Sequence, residues 1–154
     1  MSYNDIMTIR FFSKSDTYRD FSNFAAYPIE IDATIWPTTE HYYQAHKFQD
    51  AELQERIRQA EKPVIAKNLA RKCKARSRPD WDQVKDAVME LALRAKFTQH
   101  ADLRALLLTT GDEDLAETAP NDYYWGVGAE GSGQNKLGLL LMRIRADLRE
   151  GAAV

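Results

Sequence analysis

The chain contains one cysteine, Cys73, and therefore cannot form an internal disulfide. It also lacks an apolar run of about 18 residues, the length that crosses a bilayer, and a basic-then-apolar leader. Positive charge is not in excess, because 21 Lys and Arg oppose 23 Asp and Glu for a formal net charge of -2. These absences argue against a disulfide-stapled secreted protein, a membrane protein and an electrostatic nucleic-acid binder. We expect a cytoplasmic protein.

What is present fits an ordinary globular chain. Its 154 residues are 44% hydrophobic and 29% charged, which suits one well-formed hydrophobic core. No repeat, linker or low-complexity stretch interrupts the sequence. The sequence therefore predicts a single domain over residues 1–154.

Strands are predicted near the start and helices over most of the rest. Thr8 to Phe12 is a β-branched and aromatic run, and Tyr27 to Trp36 indicates a hairpin around Asp32-Ala33. A short strand is predicted over Leu115 to Thr118. Helices are predicted from Thr39, over 51–60, from Pro63 to about Ala75, from Asp80, over 101–109 and from about Asn135. This pattern predicts a mostly helical α+β fold with a short N-terminal β-hairpin.

Two of these helices carry a clear apolar stripe. In the helix that follows Asp80, the spacing i, i+4, i+7, i+11 predicts a buried stripe of Val84, Val88, Leu91 and Ala95. In the last helix the predicted buried side consists of Leu137, Leu140, Leu141, Ile144 and Leu148. Both helices are therefore expected to pack with one face on a core.

The first candidate functional segment is Trp36 to Gln49 (WPTTEHYYQAHKFQ). On a helix, Glu40, Gln44 and Lys47 would line one face, with Tyr43 beside them. A carboxylate held against aromatic rings can grip a flat, sugar-linked substrate and act as a tuned acid. The alternative is a solvent-facing Glu-to-Lys stripe with no function, and the spacing alone does not decide between the two.

The second candidate segment is Asn121 to Gly138 (NDYYWGVGAEGSGQNKLG), which contains a literal GxGxxG. A dinucleotide fold needs an acid about 20 residues further on, at the end of a second strand. Here Asp147 and Glu150 belong to the following helix, so a Rossmann fold is not expected. The glycines and the amide groups near Asn135 instead predict a phosphate cradle.

A basic run precedes the long middle helix in an otherwise acidic chain. Its members are Lys67, Arg71, Lys72, Lys74, Arg76 and Arg78. The run is either a solvated helical face or a phosphate-binding site. Trp81, which follows it, is either a core residue or a platform for stacking.

Metal and thiol chemistry are not predicted. His41 and His46 are five residues apart and would face away from each other on a helix, and His100 stands alone. Satisfied or solvated histidines are the preferred interpretation for all three. Cys73 lies among basic residues, but no histidine near it in sequence would complete a catalytic pair.

Several motifs, in order, resemble the NADAR domain family and in particular its bacterial YbiA-like N-glycosidases. The similarity extends from about Ile9 to Leu148. The matching stretches are FSNF at 21–24, WPTTEHYYQAHKF at 36–48, Trp81, MELALRAKF at 89–97, DYYWGVG at 122–128 and GQNKLGLLLMRIR at 133–145. One small departure is Ala33, where the hairpin of the family is expected to carry a glycine.

The resemblance implies hydrolysis of an N-glycosidic bond without a metal or a redox cofactor. The implied substrates are ribosylamino-pyrimidine 5′-phosphates, early intermediates of riboflavin biosynthesis, which would yield ribose 5-phosphate and a free pyrimidine. The implied functional residues are Glu40, Lys47, Trp81, Asp122 and Trp125. Further substrate contacts are expected from Phe21, Asn23, Tyr43, Gln44, Gly126, Gly128 and Asn135.

The residues allow two mechanisms. Glu40 and Asp122 could stabilise an oxocarbenium-like state and move protons for an attacking water. Lys47 could instead attack C1′ and hold the opened ribose as a Schiff base. Two other functions stay open: a glycohydrolase that removes ADP-ribose from guanine in nucleic acid, and a non-catalytic ADP-ribose- or nucleotide-binding module. In each case the expected partner is a small molecule or a modified nucleic acid, without a membrane.

Overall fold

The computed structural model describes residues 7–151. Contacts within the chain group it into two units. We call residues 26–100 the continuous unit, and residues 7–25 with 101–151 the discontinuous unit. Within residues 7–151 no helix combines the length and the apolar character needed to span a membrane. The expectation of a single domain stays a prediction.

The continuous unit is a hairpin followed by four helices. Strands β2 (Ile29–Ile31) and β3 (Thr34–Trp36) pair antiparallel, with Ile29 opposite Trp36 and Ile31 opposite Thr34. The helices are α1 (Thr39–Ala45), α2 (Ala51–Arg58), α3 (Pro63–Lys72) and α4 (Trp81–Gln99). The predicted hairpin and helices are confirmed. The helix predicted to reach about Ala75 ends at Lys72 and is followed by a 3-10 turn, Lys74–Arg76.

Helix α1 begins where its sequence predicts. Thr38 adopts an extended conformation and its side chain accepts a hydrogen bond from the His41 amide at 3.1 Å, which caps the helix. All seven residues of α1 are buried. The helix ends at Ala45, so Lys47 lies in the turn beyond it and not on the helical face where the spacing placed it.

The buried face of α4 differs from the predicted stripe. Leu91 is 48% exposed, and Val84, Val88 and Ala95 are only partly buried. The side chains that are buried are Met89, Ala92, Leu93, Lys96 and Phe97. The predicted stripe was wrong because the buried face contains Lys96, a charged residue that a pattern of apolar residues does not include, and Lys96 is fully buried. Its Nζ lies 5.7 Å from the centroid of the Tyr27 ring.

The discontinuous unit joins two distant parts of the sequence. Strand β1 (Thr8–Phe11) pairs in parallel with β4 (Asp114–Glu117), and Phe11 lies opposite Glu117. Its helices are α5 (Ala101–Thr109) and α6 (Lys136–Arg149). Both predicted strands are confirmed, and together with the helices they confirm the mostly helical α+β fold.

The core face of α6 agrees with its predicted stripe. Leu137, Leu141 and Ile144 are buried, and Leu140 and Leu148 are partly buried. The buried Arg145 donates hydrogen bonds to Thr110 Oγ1 at 2.8 Å and to the Glu113 carbonyl at 2.9 Å. The guanidinium therefore ties α6 to the segment between α5 and β4.

The hairpin turn is conformationally strained. Asp32 and Ala33 connect β2 to β3 and have φ values of 52° and 61°. Positive φ at both residues of a two-residue loop is the type I′ geometry, which favours Asn or Asp followed by Gly. Ala33 therefore occupies a left-handed conformation in which its Cβ is unfavourable.

Replacing Ala33 by glycine should stabilise the protein. Relief of the left-handed strain, about 1–2 kcal/mol, exceeds the added backbone entropy of glycine, about 0.5–1 kcal/mol. We expect Ala33→Gly to raise the free energy of unfolding by about 0.5–1 kcal/mol in urea denaturation. The matched control is Ala105→Gly in α5, which should lose up to about 1 kcal/mol. Equal destabilisation by both variants would contradict the strain at Ala33.

Candidate active site

The predicted site residues fall into two groups, one in each unit. The α1 group, in the continuous unit, consists of Glu40, Tyr43, Gln44, Lys47 and Trp81. The loop group, in the discontinuous unit, consists of Asp122, Trp125, Gly126, Gly128 and Asn135. Each group is described within its own unit.

Glu40 and Gln44 form a buried pair on α1. Glu40 is 6% exposed and Gln44 is 4% exposed. Gln44 Nε2 donates a hydrogen bond to Glu40 Oε2 at 2.6 Å, as the i, i+4 spacing allows. The alternative of a solvent-facing Glu-to-Lys stripe is therefore wrong. A buried carboxylate held by an amide is instead suited to acid–base or electrostatic work.

The other end of the Gln44 amide is not satisfied within residues 7–151. Its Oε1 is buried and accepts no hydrogen bond from them. Leaving a buried acceptor unpaired costs on the order of 1–3 kcal/mol. A substrate N–H or O–H group beside Glu40 would satisfy this oxygen, which makes Gln44 a candidate for the predicted contact with substrate.

Tyr43 connects Trp81 with Lys47. The rings of Tyr43 and Trp81 lie with centroids 5.0 Å apart at an angle of 59°. Lys47 Nζ lies 5.5 Å from the centroid of the same Tyr43 ring. Trp81 is only partly buried, so part of its surface can contact a ligand. The structure thus brings all three side chains together.

The environment of Lys47 favours a neutral amine. Burial lowers the pKa of Lys47, and the positive charges of Lys67, Lys74 and Lys85 lower this pKa further, whereas the Glu40 carboxylate raises it. The net shift is downward from the ordinary value of 10.5. The negative charge of Glu40, near the start of α1, therefore acts on Lys47, which follows the end of this helix. A lysine with a lowered pKa is a better nucleophile near neutral pH.

The histidines next to this group are structural. His41 Nε2 donates to the Ala60 carbonyl at 2.9 Å, and its Nδ1 lies 2.8 Å from Thr38 Oγ1. Burial lowers the pKa of His41, which keeps the ring neutral, while the bond to Ala60 raises it. His46 Nδ1 lies 2.7 Å from the Tyr42 carbonyl. These partners confirm the interpretation of satisfied histidines.

Asp122 and Trp125 belong to one tight turn. Asp122 Oδ1 accepts hydrogen bonds from the amides of Tyr124, at 3.2 Å, and Trp125, at 2.8 Å. Trp125 is 8% exposed and packs edge-on against Tyr124 with centroids 4.9 Å apart. One carboxylate oxygen of Asp122 therefore holds the turn in place. The Trp125 ring exposes little surface to solvent. The predicted catalytic and stacking roles of this pair stay predictions.

The glycine loop is filled by the protein itself. A Cβ on Gly126 would lie 2.0 Å from Glu117 Oε2, and one on Gly128, at φ 72°, would lie 2.2 Å from the Tyr123 ring. The amides of 127, 129, 131 and 133–137 all donate to backbone carbonyls of the chain. These amides are occupied within the protein, and the predicted phosphate site at the loop and the start of α6 stays a prediction.

Asn135 joins the start of α6 to β4. It has φ 52°, its Oδ1 accepts from the Glu117 amide at 3.1 Å and its Nδ2 donates to the Leu115 carbonyl at 2.9 Å. The side chain therefore replaces a neighbouring strand for two backbone groups of β4. Both ends of the amide are occupied by β4, and the expected contact between Asn135 and substrate stays a prediction.

The FSNF segment is also part of a core. Phe21 is fully buried, with its ring centroid 5.6 Å from that of Phe11 and 5.4 Å from that of Tyr18. Asn23 is 8% exposed. Phe21 therefore has a core role, and the predicted substrate contacts of Phe21 and Asn23 stay predictions.

Two residues that the sequence did not single out belong beside these groups. Glu117 is a buried carboxylate against Gly126, and alternation along β4 would have placed it on the same face as the buried Leu115. Lys85 lies one helical turn after Trp81 on α4, and the spacing of four residues in the sequence could have indicated that the two share a face. Among residues 7–151 no cluster of His, Cys, Asp and Glu is arranged to hold a metal ion.

Comparison with known proteins gives one consistent result. Residues 10–149 match the NADAR domain. N-glycosidase YbiA of Escherichia coli is 52% identical over 91% of this chain and 88% of its own. An N-glycosidase of Nostoc punctiforme is 45% identical over 93% of this chain and 94% of its own. The NMR structure of E. coli YbiA superimposes with a TM-score of 0.86 at 51% identity, over 94% of this chain and 86% of that one.

Riboflavin biosynthesis proteins form a second group of relatives. One from Vibrio vulnificus is 40% identical over 94% of this chain, which corresponds to 39% of the larger protein. One from maize chloroplasts is 37% identical over 91% of this chain, which corresponds to 25% of that protein. The sequence of this chain thus recurs as one part of longer proteins.

Asn135 should contribute to stability through its two hydrogen bonds to β4. Asn135→Ala removes both partners of β4, and we expect it to lower the free energy of unfolding by about 2–3 kcal/mol in urea. Asn135→Asp keeps the oxygen that accepts from the Glu117 amide, and its free energy of unfolding should fall less. The neighbouring exposed Gln134→Ala should stay within about 0.5 kcal/mol of the parent protein. An Asn135→Ala protein of unchanged stability with weakened substrate use would place Asn135 in the binding site.

Proposed function

The chain belongs to the NADAR domain family, and we propose that it is an N-glycosidase acting on ribosylamino-pyrimidine 5′-phosphates of riboflavin biosynthesis. Hydrolysis of the C1′–N bond would give ribose 5-phosphate and the free pyrimidine. The names of its relatives support both parts: N-glycosidase for the reaction and riboflavin biosynthesis for the substrates. A small-molecule substrate without a redox cofactor and a cytoplasmic location belong to the same proposal.

The observation that carries this proposal is the buried Glu40 beside Gln44, in electrostatic contact with Lys47. Cleavage of a glycosidic bond develops positive charge at C1′ and the ring oxygen. A carboxylate in a water-poor position stabilises that charge more strongly than one in solvent. The burial of Glu40 beside Gln44 supports this role.

In the direct route, water attacks C1′ as the C1′–N bond breaks. Glu40 or Asp122 takes the proton from the water, and the departing nitrogen receives a proton to leave as the amine. Gln44 Oε1 would accept a hydrogen bond from a sugar hydroxyl or the pyrimidine amine. The rings of Trp81 and Tyr43 would stack against the flat pyrimidine.

In the imine route, the neutral amine of Lys47 forms a bond to C1′ and the pyrimidine amine leaves with a proton. The ribose ring opens to a Schiff base, and water then hydrolyses the Schiff base to the aldehyde form of ribose 5-phosphate and free Lys47. The lowered pKa of Lys47 supports this route, because only the unprotonated amine attacks. Glu40 would move the protons in both halves of the reaction.

Turnover should depend on the charge of Glu40. Glu40→Gln keeps the size of the side chain and an acceptor for Gln44 but removes the charge and the transferable proton. We expect kcat on a ribosylamino-pyrimidine phosphate to fall about 10²-fold or more, the usual scale for an acid–base group. The free pyrimidine is measured by chromatography. An ADP-ribosylated guanine oligonucleotide is tested separately, as the substrate of the alternative function.

Two further variants make the Glu40 result specific. Glu52→Gln changes an exposed acid of α2 and should leave turnover unchanged. Asp122→Asn keeps an oxygen for the two amides of its turn, so a loss of activity without a loss of stability would place Asp122 in the chemistry. A folded Glu40→Gln protein with near-normal turnover would remove Glu40 from the mechanism.

Borohydride should distinguish the two routes. If Lys47 forms the Schiff base, borohydride added during turnover reduces it to a stable secondary amine, and peptide mapping finds a ribose 5-phosphate adduct on Lys47. The pH dependence has a defined sign. Because the pKa of Lys47 is lowered, kcat should rise with pH through a value below 10.5 and then level off.

The exposed Lys62 provides the internal control for labelling and should carry no adduct. Lys47→Arg keeps the positive charge but cannot form a Schiff base. An active Lys47→Arg protein together with no trapped adduct would exclude the imine route and leave direct attack by water.

A further inference from the structure

An open cleft of about 670 Å³ lies within the discontinuous unit, and we call it the Arg10 cleft. Its floor is one face of the paired strands β1 and β4. Thr8 and Arg10 line this face from β1, and Ala116 lies opposite Arg10 in the register. Thr118 continues the face just beyond β4. The volume of the cleft falls in the range of small-molecule sites.

The wall of the cleft is the loop of residues 127–131, and hydrogen bonds hold this loop beside the end of β4. The Val127 amide donates to the Glu117 carbonyl at 2.8 Å. The Ala129 amide donates to the Pro120 carbonyl at 3.0 Å. Pro120, Val127 and Ala129 line the cleft and make part of its wall apolar. The backbone therefore fixes the shape of the cleft.

The cleft carries hydrogen-bond donors that the protein does not use itself. Arg10 is exposed, and its guanidinium forms no hydrogen bond or ion pair with any residue of 7–151. Over the same range the Thr8 hydroxyl and the amides of Gly128 and Glu130 have no partner either. The amides on each side of these two donate to backbone carbonyls, so the loop leaves two of its amides available to a ligand.

One acidic residue of the wall opposes the charge on the floor. Glu130 lines the cleft, is exposed and forms no ion pair with Arg10. Salt in solution screens the interaction between exposed charges that are not in contact. Glu130 should therefore weaken the attraction of the cleft for an anion without cancelling it.

We propose that the Arg10 cleft binds the phosphate group of a small organic phosphate. A guanidinium binds two phosphate oxygens at once, and loop amides and a hydroxyl donate to the same anion. Donors from Thr8, Arg10, Gly128 and Glu130 suit the three terminal oxygens of a phosphate better than the two oxygens of a carboxylate. The apolar part of the wall would contact the organic part of the ligand.

The inference goes beyond the proposed function, because it depends on the cleft alone and its binding test needs no turnover. The phosphate belongs either to the substrate of the proposed reaction or to a separate small molecule. Both sources present the same chemistry to Arg10, and enzyme kinetics can distinguish them.

Calorimetry tests the site directly, with ribose 5-phosphate and uridine 5′-monophosphate as probes and with ribose and uridine as their unphosphorylated counterparts. The parent protein should bind at least one of the two phosphates more tightly than its counterpart. Arg10→Gln should bind that phosphate about tenfold more weakly or not at all. The matched control is Arg104→Gln, which removes an exposed arginine of α5 and should bind as the parent protein does.

Glu130→Gln should have the opposite effect to Arg10→Gln. Removal of the negative charge from the wall should tighten phosphate binding about twofold at low salt. A gain in affinity cannot come from a misfolded protein, so this variant tests the site even if Arg10→Gln fails to fold. Arg10→Lys keeps the charge but not the two-oxygen contact, and its affinity should lie between those of the parent protein and Arg10→Gln.

Steady-state kinetics then identifies the source of the phosphate. If KM of Arg10→Gln rises about tenfold for the phosphorylated substrate and not for its dephosphorylated form, the cleft binds the phosphate of the substrate. If binding is lost while KM is unchanged, the ligand is a separate organic phosphate. Phosphate binding that depends on Arg10 in a protein without N-glycosidase activity would overturn the proposed function and keep this site.

Four results would overturn the Arg10 cleft as a phosphate site. They are no preference of the parent protein for either phosphate over its counterpart, equal affinity of Arg10→Gln and the parent protein, equal loss in Arg104→Gln, and weaker binding by Glu130→Gln.

Discussion

Helix α1 buries all seven of its side chains, and four of these are polar: Thr39, Glu40, His41 and Gln44. Burial of polar groups is unfavourable unless each finds a partner, so the surroundings of α1 are constrained far more than those of an apolar helix. His41 satisfies both of its ring nitrogens, one with the Thr38 hydroxyl and the other with the Ala60 carbonyl. The constraint also places a carboxylate and a lysine in one poorly solvated region. Stability and chemistry thus depend on the same short helix.

The two polar segments of the sequence differ in how many of their polar groups have a partner within the protein. In the loop group, the roles of Gly126, Gly128 and Asn135 are explained by close packing and by hydrogen bonds to β4. The α1 group instead carries an unsatisfied Gln44 oxygen, a partly exposed Trp81 ring and a lysine of lowered pKa. The α1 group therefore gives the stronger structural support to the proposed function.

Much of this arrangement could be predicted from local rules. The start of α1 at Thr39 and the hairpin turn at Asp32-Ala33 depend on a few neighbouring residues, and both were predicted correctly. The i, i+4 contact of Glu40 with Gln44 also follows from the helix. The burial of these side chains does not follow from the helix, because it depends on which other elements of the fold pack against α1. The buried face of α4 could not be predicted from apolar spacing, because it contains the charged Lys96. The hydrogen bonds of the glycine loop could not be predicted either, because they join residues that no local pattern pairs.

The parallel pairing of β1 with β4 has a consequence for biosynthesis. Thr118, just after β4, donates to the Phe11 carbonyl across 107 residues of chain. A ribosome emits β1 long before its partner strand exists, whereas residues 26–100 emerge as one uninterrupted stretch. Because closing a long loop delays strand pairing, β1 must wait with an unpaired edge while the later segment is translated. During this interval a nascent chain offers β1 as a target for chaperones or for pairing with another copy.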